Sequence, residues 1–307
     1  LCDIERPPMA DQQHKAVARW TERGHGDWPE RFAHLTSPPQ GVWICGAVAP
    51  QHPAVAVVGS RRATPAGMDI ARVIARDLAT AGVQVVSGMA RGIDGAAHRG
   101  ALEGGGSTVA VLGCGIDVCY PSEHRDLRAK IVEQGCVISE EERGASPLKY
   151  QFPKRNRLIA AVAVAVVVVE ATVESGALST ARWAADLGRE VLAVPGSIRS
   201  PQSEGTNLLI RDGARPFLQI GDLFEAVPEL GSLVPPKDAR GGRPAMPAGL
   251  TPGLEEILRR MGTTPVLPDE LGAALGLSAA ELAARLGSLE VTGAILSLPG
   301  GRVARTF

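Results

Sequence analysis

Val55 to Arg62, VAVVGSRR, constrains this chain more than any other stretch. An apolar run of that length ending in Gly predicts a buried parallel strand leaving a sheet. After Pro65 and Gly67, Met68 to Ala81 has helical periodicity and stops at Gly82. A strand, a Gly-containing turn and a helix leave backbone N–H groups free at the helix N-terminus, where a phosphate can be held. Arg61 and Arg62 sit in the turn itself.

The strand–helix period continues from there. Strands are predicted at Val83–Gly88, Thr108–Gly113, Cys136–Glu140, Val164–Glu170 and Glu190–Val194. Helices are predicted at Ile93–Glu103, Leu127–Gln134, Arg155–Ala163 and Leu178–Leu187, with a short one at Asn207–Asp212. Alternation of this kind implies an α/β fold: an extended, Rossmann-like, doubly wound, mostly parallel sheet. Right-handed crossovers then bring the strand C-termini to one edge.

The flanks divide the chain further. Residues 1–27 read as a short or truncated N-terminal segment, polar, in which Gln12 to Arg23 can form one helix. The sheet domain spans 28–227, and Trp28, Phe32 and Trp43 anchor its entry segment. Residues 228–250 are rich in Pro and Gly and read as a flexible linker. Residues 251–307 carry three helical patterns, Leu254–Met261, Pro268–Leu275 and Ser278–Leu289. Ser278 with Glu281 forms a capping box, and Gly293 to Arg305 reads as a hairpin. Three helices and a hairpin predict a winged-helix domain.

Composition excludes several classes. Five scattered cysteines in a chain of 307 residues, none in a C-x-x-C pair, argue against zinc and for reduced thiols in a cytoplasm. The longest apolar run, Leu158 to Val169, is about half of a membrane span. With a net charge of −1, an anion-binding surface must be local. Residues 251–307 hold five arginines against six acids, which makes the winged helix a poor main site for a polyanion.

The strand ends carry the chemistry. Gly59-Ser60-Arg61, Gly88 to Gly92 with Arg91, Gly113-Cys114-Gly115, Glu170-Ala171 and Pro195-Gly196-Ser197 share one edge and outline a ligand groove. No G-x-G-x-x-G follows the first strand and no G-x-x-x-x-G-K-[ST] loop exists, so neither NAD nor P-loop chemistry is implied, and no cofactor is expected. The most basic stretch, KYQFPKRNR, holds Lys149, Phe152, Lys154, Arg155, Asn156 and Arg157. Cations there can track a phosphate backbone and an aromatic can stack on a base, or the stretch can be a solvated helix start. Ser175-Gly176, with Thr180 one turn on, opens a helix as a phosphate seat or as an ordinary N-cap. Asp94 and His98 lie one turn apart, as an acid/base pair or as helix and loop supports. No catalytic triad and no metal cluster is evident.

Taken in order, these motifs resemble the DNA processing protein A family (DprA, also called Smf). The resemblance rests on Gly59-Ser60-Arg61, Gly88 to Asp94 with Ala97-His98, Val109 to Gly115 with Tyr120-Pro121, Phe152 to Ile159, Ser175-Gly176, Ala193 to Ser197 and Gly205 to Ile210. It spans Trp28 to about Val227. It implies a cytoplasmic protein that binds single-stranded DNA without turnover and loads the recombinase RecA during natural transformation. By the same resemblance Arg61 and the Lys154-Arg155-Asn156 stretch contact DNA, and Gly88, Arg91 and Gly176 wall the pocket. Ser60, Arg62, Gly92, Phe152, Arg157, Ser175 and Thr180, beside them in the same stretches, complete the expected DNA-binding set. Leu208, Leu209 and Ile210 lie in the family's self-association surface, implying a homodimer. Glu140-Glu141-Glu142-Arg143 stands where the family carries an aromatic–Pro turn, and Lys154 where Arg is commoner.

A second reading is a nucleotide-processing enzyme related to phosphoribohydrolases. That chemistry uses a Pro-Gly-Gly-x-Gly-Thr loop and a following Glu. This chain has Val194-Pro195-Gly196-Ser197, and Glu174 precedes Ser175-Gly176. A general acid or base needs hydrogen-bond reach to its substrate, and no carboxylate is an obvious candidate.

Overall fold

The structure is a computed structural model, described over residues 17–50, 53–233, 250–261, 265–292, 294–298 and 300–305. It forms two units, 1–237 and 238–307.

In the first unit the uninterrupted Val/Ala runs become buried parallel strands: β3 (Ala54–Val58), β4 (Gln84–Ser87), β5 (Thr108–Leu112), β6 (Cys136–Ser139), β7 (Ala165–Val168) and β8 (Glu190–Ala193). Before them come β1 (Arg19–Glu22) and β2 (Gly41–Gly46), and after them β9 (Arg215–Pro216). The sheet order is β1-β2-β6-β5-β4-β3-β7-β8-β9. β1 and β2 pair antiparallel, as do β2 and β6, and every other pair is parallel. Strand order reverses between β3 and β7, where Val55 lies opposite Ala165. That reversal is the place where doubly wound sheets open a crevice for ligands.

Among the described residues the unit has seven α-helices: α1 (Pro65–Thr80), α2 (Ile93–Glu103), α3 (Arg125–Gln134), α4 (Gln151–Val162), α5 (Gly176–Asp186), α6 (Pro201–Arg211) and α7 (Ile220–Ala226). α4 and α5 pack on one face, where Ala54, Ala56 and Val58 of β3 meet Leu158, Ile159 and Leu178. Leu127 and Ile131 of α3 pack on the other, with Met89, Ala110 and Val137. Thr64 caps α1: its Oγ1 accepts from Gly67 N–H at 3.0 Å, and Pro65 opens the helix.

The N-terminal part differs from the expectation of a helix over Gln12 to Arg23. Residues 12–16 lie outside the described residues, and Arg19 to Glu22 is a strand. Pairing is the reason: Trp20 packs edge-on against Trp43 at 5.4 Å, and Thr21 is buried beneath. The entry segment also contributes β2. Its alternation sends Val42 and Ile44 to the layer of Trp28 and Phe32, and Trp43 with Cys45 to the opposite layer. The three aromatics therefore do not form one anchor. α6 starts at Pro201, six residues before the expected Asn207, because proline is pre-shaped for a first helical turn. Pro228–Leu230 forms a 3-10 turn with Leu230 buried. Residues 234–249 of the expected linker lie outside the described residues, as do Cys2, Gly293 and Pro299.

The second unit holds α8 (Pro252–Arg260), α9 (Pro268–Leu275), α10 (Ala279–Val291) and the hairpin β10 (Ile295–Leu298) and β11 (Arg302–Arg305). Ile257, Leu258, Leu271, Leu282, Leu289 and Ile295 form its core. The capping box is present, with Glu281 N–H reaching Ser278 Oγ and Ser278 N–H reaching the Glu281 carboxylate. This is the expected three helices and hairpin.

Candidate functional site

A groove of about 680 Å³ opens at the strand-order reversal. The turn after β3 supplies Gly59, Ser60, Arg61 and Arg62, and the first turns of α4 supply Phe152, Arg155 and Asn156. Ser175, Gly176 and Thr180 come from the start of α5, and Gln202 from α6.

The β3 turn is fixed from both sides. Ser60 N–H donates to the Glu170 carbonyl at 2.7 Å, and Ser60 Oγ accepts from Arg62 N–H at 3.1 Å. Gly92 closes the other side. Its φ of 71° lies in the left-handed region, and a Cβ there would fall onto the Ser60 carbonyl oxygen. The loops after β3 and β4 are thus in backbone contact. Met89, a non-glycine residue at φ 62°, holds the second loop in a strained conformation. Its carbonyl accepts from His124 Nδ1–H at 3.0 Å.

Arg61 projects from this turn and is exposed. Its guanidinium lies 4.5 Å from the centroid of the Phe152 ring. Among the described residues no carboxylate pairs with Arg61, Arg62 or Lys149, although each lines the groove. The Phe152 ring also touches Tyr120, with centroids 5.6 Å apart and a 39° tilt.

The basic stretch behaves differently from its composition. Arg155 is buried, and its Nη1 donates to the carbonyls of Gly88, at 2.8 Å, and Val111. Burial pushes this guanidinium down to about 10, while the Asp94 charge pulls it up. Asp94 is buried beside it, and burial raises its carboxyl above the usual range despite Arg155. A Cβ at Gly88 would lie 2.6 Å from both Arg155 Nη2 and Asp94 Oδ2, so the backbone passes between the two charges. Arg157 is buried too, and its Nη2 donates to both Glu140 oxygens at 2.7 and 2.8 Å. Lys154 is half exposed but lies 3.5 Å from Glu140 and 3.2 Å from Glu141. Convergence of five cations on the groove is therefore corrected. Arg61 and Arg62 face it uncompensated, Arg155 backs it, Arg157 is absent from its lining, and Lys154 is held by two acids. The physical reason is that Glu140-Glu141, the two residues that follow β6, lie directly against the start of α4.

Other expected residues take narrower roles. Asn156 Nδ2 donates to the Gly176 carbonyl at 3.1 Å, locking α4 to α5. Ser175 caps α5 through Ala177 N–H at 3.3 Å, and Thr180 is buried one turn on. Gly88, Arg91 and Gly92 do not line the groove, and Arg91 pairs with Glu123 outside it. His98 is fully buried, with Nδ1 2.7 Å from Thr108 Oγ1. Thr108 spends its own proton on the Val85 carbonyl at 2.8 Å, so His98 Nδ1 is the donor. Asp94 and His98 are thereby loop and core supports and make no acid/base pair. Leu208, Leu209 and Ile210 lie half-buried on α6, and Leu209 packs against the core. Tyr120, Thr172 and Gln202 belong to the site's surroundings without having been expected there. For Tyr120 the only signal was its place in the Tyr-Pro pair after Gly115.

Among the described residues there is no group of His, Cys, Asp or Glu able to hold a metal ion, and no helix long and apolar enough to cross a membrane.

Two family models match: DNA recombination-mediator protein A over residues 19–228, and the DprA winged helix domain over 242–301. A putative DNA processing protein DprA of Mycobacterium tuberculosis is 42% identical over 260 residues, covering 83% of this chain and 66% of that protein. The chain thus spans just under two thirds of that relative's length. The crystal structure of DNA processing protein A from Streptococcus pneumoniae superposes with a TM-score of 0.64 at 35% identity, covering 68% of this chain and 74% of that one. DNA processing protein A from Helicobacter pylori, solved for its mode of single-stranded DNA binding, superposes with a TM-score of 0.62 at 29% identity, covering 70% and 98%.

Proposed function

The chain belongs to the DNA recombination-mediator protein A family, and on that premise we propose that it binds single-stranded DNA in the switch-point groove as a recombination mediator, without turnover. One observation carries the reading: Arg61 and Arg62 stand on a rigid turn with no salt-bridge partner among the described residues, and Phe152 lies beneath Arg61. Two free guanidinium groups beside an aromatic ring suit alternating phosphates and bases. Lys149, Asn156, Ser175, Gly176 and Thr180 continue the track along the starts of α4 and α5. Lys154 joins it by exchanging Glu140 and Glu141 for phosphate. Arg155 and Arg157 support the groove from inside.

In the cell this chain protects incoming strands in the cytoplasm and loads RecA during natural transformation. It does so as a homodimer through the Leu208, Leu209 and Ile210 segment of α6, in which Leu209 packs inward and the half-buried Leu208 and Ile210 offer apolar surface to a second copy. The nucleotide-processing alternative is less well supported: of the two carboxylates lining the groove, Asp94 is buried and accepts from Ala90 N–H at 3.3 Å, and Glu174 precedes Ser175-Gly176 instead of following a Pro-Gly-Gly-x-Gly-Thr loop.

Gel shifts of single-stranded against duplex oligonucleotides over a salt series test the proposal. Preference for the single strand, falling steeply with salt, supports it; salt-independent or duplex-selective binding overturns it. Free adenine released from AMP would move the case to the enzyme.

A further inference from the structure

The stack that begins with Arg61 over Phe152 does not end at the groove. Tyr120, outside the groove lining and 40% exposed, continues it with its ring against Phe152. The ring is carried by a loop that is pinned twice. Ser122–His124 forms a 3-10 turn whose His124 donates to the Met89 carbonyl, and Glu123 of the same turn grips Arg91. Tyr120 is therefore an exposed aromatic held in place before any ligand arrives, and a pre-ordered ring loses little freedom on binding.

Resting on the single-strand reading of the groove, we propose that Tyr120 is a second stacking station, which carries the bound strand one unpaired base beyond Phe152 toward the loops after β4 and β5. Every base has a π face, so such a station adds affinity without reading sequence. It also selects against duplex, whose bases are already stacked on each other.

Fluorescence anisotropy with labelled oligothymidylate tests this. Tyr120→Leu keeps the apolar packing against Phe152 and removes the ring; affinity is expected to fall on the order of tenfold. Tyr120→Phe is expected to bind like the parent chain. The salt slope stays unchanged in both, because no charge is lost. In the parent chain, a single abasic residue is moved through an oligonucleotide just long enough for full affinity. Two adjacent sensitive positions are expected, and Tyr120→Leu removes one of them. Parent-like binding by Tyr120→Leu, or only one sensitive position in the parent, overturns the inference and leaves the proposed function standing. If Tyr120→Leu melts early, the abasic scan of the parent decides alone. A parent chain that binds no single strand removes both.

Discussion

Arg61 and Phe152 meet across two elements: the guanidinium from the turn after β3 lies 4.5 Å from the centre of a ring on the first turn of α4. The contact fixes the cation without neutralising it. A carboxylate in the same place would hold the side chain equally well and cancel its charge. With a ring as partner, the N–H groups at the guanidinium's edge stay free for phosphate oxygens.

Arg61→Ala is therefore expected to weaken single-strand binding by about 1–3 kcal/mol, the range of a charge-assisted contact. The melting temperature should barely move, because the side chain is exposed. Titration calorimetry and thermal melts read both. A lower melting temperature with unchanged affinity assigns Arg61 to structure.

Arg157→Ala is expected to do the reverse. Removing the buried guanidinium leaves Glu140 with Lys154 alone, 3.5 Å away; breaking a fully buried pair costs about 3 kcal/mol, and the remaining lysine and the partial exposure of Glu140 bring the expected loss below that. Urea unfolding should show that loss. Binding by the remaining folded protein should stay near the parent value, since Arg157 is outside the groove lining.

Glu141→Gln frees Lys154 of one carboxylate while the amide oxygen can still accept from Gln151 Nε2, at 3.0 Å in the parent. Affinity for single strands is expected to rise several-fold. The slope of log affinity against log salt should steepen by up to ~0.7, the share of one added phosphate contact. An unchanged slope means that Lys154 does not meet the strand.

His98 makes stability depend on pH. Burial pushes its imidazole down to about 3, well below 6.5. Between those values the unfolded chain binds a proton that the folded chain refuses. Stability then rises with pH through the window and is lost as pH falls from about 6.5 toward 3, at up to ~1.4 kcal/mol per pH unit. Urea midpoints at pH 7 and pH 5 should differ more in the parent than in His98→Leu.

The doubly wound core is legible in the sequence because Val55–Val58, Val109–Leu112 and Val164–Val169 are unbroken apolar runs, and Gly82, Gly104, Gly135 and Gly188 mark the ends of four of the helices between strands. The turn at Ser60-Arg61-Arg62 is legible for the same reason. The inward aim of Arg155 and Arg157 is not. Their partners, the carbonyls of Gly88 and Val111 and the carboxylate of Glu140, lie 17 to 67 residues away in the chain. Charge counted along KYQFPKRNR cannot distinguish a solvated cation from one already satisfied. β1 is hidden likewise, since Arg19 to Glu22 has no apolar alternation of its own and exists only by pairing with β2. The start of α6 was available in Pro201, a first-turn proline.

Glu140 and Glu141 also have a consequence for which anions the groove admits. They are tethered competitors, held beside Lys154 at an effective concentration set by the fold and independent of the solution. A mononucleotide or an inorganic anion must displace them with a single contact. A strand docks first on Arg61, Arg62 and Lys149, so its next phosphate meets the carboxylates as an intramolecular rival on equal terms. Ligand length, rather than charge alone, becomes the condition for occupying the start of α4.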